Sequence, residues 1–333
     1  MKIAFVYADE PAERNSSIWR CLWPVEALRR AGHDAWLVHI RSWLPRDPRA
    51  FDIGVKADVI VYERVLTGEV AGDMRFWKSH GKKIVVDFDD AYQHMPQYVP
   101  SYCNWHGPPQ GYKEPLLDSL KRNLPLADLL HTPSALLSQD WAAYAQKTAV
   151  VRNFPALKTN ENWAVPYPIR SKKQVGWGGT ATHLNAWRYS GIVPAVHRER
   201  ILIFAGDAEL RALLPVAHFE PGVPAPMWPF EMGRIGIGVA PIAGEYDRRR
   251  SWIKCLEYGL KGIPWIASDM EPYQDCHGGY RIENETGAWR AAIQRLRDDE
   301  AEYERLSQEG REWAWQQDID LHIQERVSLY ERL

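Results

Sequence analysis

The sequence predicts an α/β chain of two doubly wound parallel halves, and three observations carry that expectation. Short apolar runs alternate with helical stretches from residue 2 onward, the order that a parallel sheet covered by helices produces. A proline-bearing stretch without clear period, residues 154–171 with Pro155, Pro166 and Pro168, interrupts the alternation once. The alternation then restarts at residue 173 and closes in a run of amphipathic helices.

Residues 2–7 (Lys-Ile-Ala-Phe-Val-Tyr) read as a buried strand, followed by a loop through residues 9–17 and a helix over 18–31 that Gly32 closes. Further strands are expected at 35–40, 58–62 and 83–88, with helices over 70–80 and 115–124. Residues 127–132 and 149–153 complete the first half. In the second half, strands are expected at 173–177, 201–205, 235–241, 263–267 and 280–282. Helices over 289–297, 302–317 and 322–332 end the chain, the last able to cross back to the first half.

Composition narrows the class. The chain has 333 residues, 45% hydrophobic and 25% charged, with a formal net charge of −2. That is an ordinary globular composition long enough for two domains, and the balance argues against a dominant polyanion-binding face. Cys21, Cys103, Cys255 and Cys276 are scattered without metal-ligand spacing, which points to a reduced, cytoplasmic protein. No run approaches the roughly 20 apolar residues of a membrane span.

Residues 246–268 concentrate the chemistry. Ser251 is expected to cap a helix that Gly262 ends, and a strand follows. Arg250, Lys254 and Glu257 fall at i, i+4 and i+7. With the helix N-terminus they suit an anion such as a diphosphate, and Glu257 suits a sugar diol. Equally, Glu257 pairs with Lys254 or Lys261 on a solvated face. Upstream, the strand ending in Gly178-Gly-Thr-Ala-Thr-His183 has a turn whose glycines allow close backbone approach to a phosphate. His183 is either a ligand there or a structural histidine.

Two candidates lie at strand ends in the first half. Arg14, Asn15, Ser16 and Ser17 face a substrate, or Ser16 or Ser17 caps the helix. Asp87-Phe-Asp-Asp90, with Tyr92 and His94 beyond, crowds three carboxylates that must be solvated, paired or bound. Metal binding lacks a supporting oxygen-ligand cluster. Binding of a substrate hydroxyl by Asp89 or Asp90 stands beside turn capping.

Two elements carry a resemblance. Gly176-Trp-Gly-Gly-Thr-Ala-Thr-His183 resembles G-W-x-G-[ST]-x-x-H, and Tyr246 to Tyr273 resembles [FY]-N-x-x-K-S-x-x-K-x-L-E followed by G-[IV]-P-x-[IV]-A-S. Both are similar to a bacterial and phage branch, group 1-like, of the retaining nucleotide-sugar glycosyltransferases of the GT-B fold. Asp87–Asp90 also looks like that branch's D-x-D-D strand end. The resemblance implies two Rossmann-like domains facing across a cleft: an acceptor domain over 1–160, joined by 318–333 packing back, and a donor domain over 170–317.

The resemblance further implies that Arg250 and Lys254 hold the diphosphate and Glu257 the ribose. Gly178, Gly179, His183, Tyr246, Ser251, Met270 and Tyr273 would complete donor binding, with Asp89, Asp90 and His94 toward the acceptor. Arg250 and Lys254, with Asp89 and Asp90, would be the catalytic groups. Asp247 replaces the usual asparagine, and Arg249 stands where the wider superfamily has the first glutamate of E-x7-E. The co-substrate implied is a nucleotide-diphosphate sugar, UDP-linked by family frequency, with no metal and no tightly bound cofactor.

The acceptor would be a saccharide, a small molecule or, as in phage enzymes, a hydroxymethylated pyrimidine in DNA. DNA would need a basic groove, for which Arg41, Arg46, Arg49, Lys82, Lys83, Lys121 and Arg122 are candidates. A flipped base would need Trp19, Tyr92, Tyr102 or Trp105. Alternatives are a nucleotide-sugar epimerase or hydrolase of the same fold, and a non-catalytic sugar-nucleotide-binding module. A dinucleotide oxidoreductase is disfavoured because no G-x-G-x-x-G follows the first strand.

Overall fold

The computed structural model describes residues 1–11, 15–64, 67–111, 113–164 and 171–333. Arg14, Pro166 and Pro168 lie outside the described residues. The chain divides into two compact units, Met1–Thr159 with Asp318–Leu333, and Asn160–Gln317.

In the first unit β1 (Lys2–Tyr7), β2 (Asp34–His39), β3 (Val59–Glu63), β4 (Lys83–Asp87), β5 (Leu129–Thr132) and β6 (Thr148–Val150) form one sheet. Its order is β2-β1-β3-β4-β5-β6, and its pairings are parallel, with Phe5 opposite Leu37 and Val61. Ile3, Phe5, Ile60, Val61, Ile84 and Val85 are fully buried or nearly so, which is why these strands read as unbroken apolar runs. The order reverses between β1 and β3, so the ends of those strands open a crevice where doubly wound sheets place ligands.

The second unit repeats the plan. β7 (Val175–Gly178), β8 (Leu202–Phe204), β9 (His218–Glu220), β10 (Ile237–Ala240), β11 (Trp265–Ser268) and β12 (Gly279–Ile282) form a parallel sheet in the order β12-β11-β10-β7-β8-β9. Here the reversal falls between β7 and β10. The short β9 was not expected from the sequence; its three residues are only half-buried and carry no apolar run.

The helix expected over 18–31 is not continuous. Asn15–Ser17 is a single α turn, Ile18–Leu22 a π-type turn, and Trp23–Arg30 the regular helix, followed by Gly32 at φ +86°. The wider π turn inserts a residue and leaves Arg20 and Cys21 fully buried. Ser17 does not cap the helix; its hydroxyl donates to Glu63 Oε2 at 2.5 Å.

Ser251 is likewise not a cap. The helix runs Ile253–Lys261, with Trp252 at the cap position giving no side-chain bond. The reason is local: a turn at Gly244–Arg248 ends just before, and Arg249 to Trp252 complete the bend out of it. Gly262, at φ +65°, ends the helix as expected. The strand that follows begins at Trp265 rather than at Ile263, three residues after the left-handed exit and past Pro264, which has no N–H for the ladder.

The last helix spans Ile319–Glu331 and belongs to the first unit. Ile319, Ile323, Val327 and Tyr330 form its buried face. Arg30 holds Asp320 with two nitrogens, the shorter contact 2.6 Å, and Lys158 adds a third at 3.0 Å.

Candidate functional site

In the second unit, the end of β7 and the stretch Tyr246–Lys261 converge. Arg250 Nε donates to Asp247 Oδ1 at 2.7 Å, and its Nη2 donates to the Thr182 carbonyl at 3.2 Å. The guanidinium also lies 4.7 Å from the Tyr246 ring centroid. Asp247 is 1% exposed and accepts from the Ala243 amide at 3.2 Å, while burial raises its pKa. Arg250 is therefore held in one orientation by a buried carboxylate and an aromatic face.

Lys254 and Glu257 pair at 3.4 Å. Glu257 is not on a solvated face: it is 6% exposed and accepts the Trp228 indole N–H at 3.1 Å. Lys261 points elsewhere, donating to the Asn162 carbonyl beside the Trp163 ring. The Trp228 ring lies 5.7 Å from Lys254 Nζ, so one tryptophan orients both members of the pair.

Trp228 also explains a glycine. A Cβ at Gly178 would come within 2.3 Å of the Trp228 ring, and one at Gly179 within 2.4 Å of Trp177. The amide of Gly179 donates to the Phe204 carbonyl at 3.1 Å. The Gly179 N–H is thus committed to the sheet, and both glycines make room for tryptophans.

His183 sits within this group. It is buried, edge-on to Trp177 at 5.4 Å, and its Nδ1 has no hydrogen-bond partner. Burial, then the charges of Arg250 and Lys254, hold its pKa well below the ordinary value, so the ring is neutral. The charges of Arg250 and Lys254 both act on His183, although Arg250 precedes the helix that carries Lys254. Tyr246 and Tyr273 are 4% and 1% exposed, so their side chains are packed within the second unit. Met270 opens the turn after β11, where its amide donates to the Ser268 carbonyl at 2.8 Å. Arg249 is tied to Glu245 Oε2 at 2.6 Å.

A second cluster occupies the β1/β3 reversal of the first unit, and sequence reasoning missed most of it. Glu63 is 1% exposed and accepts from the Ala8 amide at 2.9 Å as well as from Ser17. Burial raises its pKa to about 7. Arg64 adopts φ +62°, a left-handed conformation rare for an arginine, and bonds Asp9. It also reaches Glu63 at 3.4 Å and Asp89 at 3.7 Å. Asp89 further accepts the Tyr92 hydroxyl at 2.7 Å.

The Asp87–Asp90 carboxylates divide. Asp87 is fully buried and held by Arg20 through two nitrogens at 2.6 and 2.9 Å. Burial opposes its charge, yet Arg20 keeps its pKa at about 2. Asp89 and Asp90 are half-buried, and Asp90 bonds the Ala91 amide at 3.1 Å. His94 turns to Asp140, 3.6 Å away.

The candidate DNA groups are mostly engaged within the protein. Arg41 pairs with Glu10, Arg122 with Glu114, and Arg46 lies 3.7 Å over the Phe76 ring. Tyr92 and Trp105 are buried and stacked on each other at 3.8 Å, and Tyr102 stacks on His106. These rings fill one another's faces rather than lining an open pocket. Among the described residues no group of His, Cys, Asp and Glu could hold a metal ion, and no helix is long and apolar enough to cross a membrane.

No family model and no curated protein matches the chain. Solved structures do. Sucrose-phosphate synthase from Thermosynechococcus elongatus is similar at 14% identity, with 99% of this chain and 98% of that one covered and a TM-score of 0.67. An alpha-glucosyltransferase in complex with UDP and a 13-mer DNA containing a HMU base is similar at 12% identity, 99% of each chain and a TM-score of 0.68. UDP-GlcNAc 2-epimerase from Neisseria meningitidis bound to UDP-GlcNAc matches at 12% identity, 99% of this chain and 100% of that one, with a TM-score of 0.51. With the two six-stranded parallel sheets, these likenesses establish the GT-B fold of two Rossmann-like domains.

Proposed function

We propose that the protein is a glycosyltransferase that moves a sugar from a nucleotide-diphosphate sugar, UDP-linked, to a hydroxyl acceptor with retention and without a metal, in the cytoplasm. The observation that carries this reading is that Arg250 and Lys254 both bear on neutral His183 at the β7/β10 reversal, with Glu257 paired to Lys254. Arg250 and Lys254 are preorganised cations for a departing diphosphate, and a buried setting strengthens their effect. Glu257, whose Oε2 already accepts from Trp228 and Lys254, has Oε1 for the ribose hydroxyls. Retention follows in this reading from attack on the face the diphosphate leaves, with a phosphate oxygen taking the acceptor proton. The bonds formed and broken are then the new glycosidic bond and the anomeric carbon–phosphate oxygen bond.

Ser251, Gly178 and the turn from Met270 are proposed to complete the donor site through backbone and small side-chain contacts. Asp89 and Asp90 are proposed to bind the acceptor hydroxyl, with His94 nearby in sequence. Two of the similar structures hold UDP or a UDP-sugar, and one of them also holds DNA. These support a UDP-linked donor and keep a saccharide or small molecule and a hydroxymethylpyrimidine in DNA both in view as acceptors.

The test is turnover of UDP-hexoses by the full chain, first alone and then with saccharides or with DNA carrying 5-hydroxymethylpyrimidines. Transfer that needs an acceptor and yields the same anomer as the donor supports the proposal. Conversion of the donor to an epimer without an acceptor would move the protein to the epimerase reading. Saturable binding without turnover under any acceptor would make it a binding module.

A further inference from the structure

A cavity of about 380 Å³ lies in the first unit beneath the helix Ile319–Glu331, walled by Trp19, Val150, Phe154, Ile323 and Leu329, with Arg326 in its lining. Arg326 is only 5% exposed, and its Nη1 has no hydrogen-bond partner. Among the described residues no carboxylate forms an ion pair with it. The Phe5 ring, 5.8 Å from its Cζ, is a weak substitute.

The charges around it do not cancel. Asp87 lies in the field of Arg326, but Arg20 already claims both its oxygens. His131, 3.5 Å from Asp87, is held neutral, its pKa pushed by burial to about 4. Burial keeps the Cys21 thiol and the Tyr330 hydroxyl protonated, so the Tyr330 hydroxyl beside Arg326 offers it a neutral oxygen and no negative charge. At the rim, Glu325 lies 3.2 Å from His322 and is 73% exposed, so its charge is screened by solvent and forms no ion pair with Arg326. The Arg326 guanidinium is therefore left without an ion pair in a cavity whose wall is largely apolar. A buried charge without a counter-ion is strongly unfavourable unless something answers it.

We propose that this cavity binds a small amphipathic anion, its carboxylate or phosphate group against Arg326 and its apolar body along Trp19, Phe154, Ile323 and Leu329. An inorganic ion alone would leave the apolar wall unfilled, and a neutral apolar molecule would leave the guanidinium unanswered. The site is separate from the Arg250–Lys254–Glu257 group, which belongs to the other unit.

Titration calorimetry of the full chain with octanoate and with octyl phosphate tests this. The controls are 1-octanol and inorganic phosphate, and the variants are Arg326→Met, which removes the charge but keeps an apolar chain, and Leu329→Trp, which fills the cavity. At least one anion should bind saturably, at least tenfold more tightly than either control, and both variants should weaken it at least tenfold. Which of the two anions binds assigns the carboxylate or the phosphate class. Absence of binding by both anions at millimolar concentration would overturn the proposal, as would unchanged binding in Arg326→Met. Should Arg326→Met fail to fold, undiminished binding in Leu329→Trp would overturn it equally.

Discussion

Trp228 donates its indole N–H to Glu257 Oε2 at 3.1 Å, while its ring fills the space that a Cβ on Gly178 would need. A single side chain thus ties the end of β7 to the acidic member of the candidate donor site. Trp228→Phe keeps most of the packing and removes the N–H, leaving a buried carboxylate one donor short, at a cost of about 1–3 kcal/mol. We expect KM for the sugar nucleotide to rise roughly tenfold with a small loss of stability, measured by steady-state kinetics beside thermal denaturation. Unchanged KM would remove Trp228 from the site.

Gly178→Ala should be worse than Trp228→Phe in activity, because the added methyl must displace the ring within 2.3 Å of it. The double variant Gly178→Ala with Trp228→Leu should recover part of the loss in stability. A single Gly178→Ala protein with wild-type melting temperature and turnover would contradict this packing account.

His183 gives the donor site a pH signature. Burial and the two cations depress its pKa, and an anion seated beside it partly reverses that depression. Binding should therefore take up protons, so wild-type UDP affinity should rise as pH falls below the ordinary histidine range toward the depressed pKa of the ring. UDP itself titrates in that region, so the comparison is with His183→Gln, which should show a flatter profile. Identical slopes for the two proteins would place His183 outside the site.

Glu63 makes stability depend on pH in the first unit. Its folded pKa is about 7 against an ordinary value of 4.5, so the folded state binds the proton more tightly than the unfolded chain does. The contribution is complete below pH 4.5 and is lost as pH rises through 7. Relative to Glu63→Gln, the wild-type protein should lose up to about 3 kcal/mol across that window. Urea denaturation at several pH values measures it, and parallel stability curves would show that Glu63 titrates normally.

The Arg20–Asp87 pair should be intolerant of single changes. Asp87→Asn strands a fully buried guanidinium, which we expect to cost about 3–5 kcal/mol in denaturant unfolding. Replacing both by apolar residues of similar volume should cost less than either single change. A near-neutral Asp87→Asn would mean that Arg20 finds another partner.

Most strands were legible because their burial on both faces leaves apolar runs such as Ile3–Ala4–Phe5–Val6, all at most 1% exposed. Gly262 was legible too, since its left-handed φ is the glycine's own preference. What sequence could not give was direction. Arg20 reads as an exposed helical arginine until the π turn at Ile18–Leu22 rotates it inward. Glu63 and Arg64 carry no motif, and their partners Asp9 and Asp89 arrive from other strands. The Ser251 cap failed because three arginines and a serine serve an irregular bend, which propensity alone does not distinguish from a helix start. The glycines after β7 suggested phosphate, and only their tryptophan neighbours reveal the packing reason.

The most direct measurement is calorimetric titration of the full chain with UDP, repeated on Arg250→Ala, Lys254→Ala and Glu257→Ala. We expect micromolar-range binding by the wild-type protein and at least tenfold weaker binding by each variant, with folding retained. UDP affinity that is unchanged in all three variants would contradict the placement of the nucleotide against Arg250, Lys254 and Glu257.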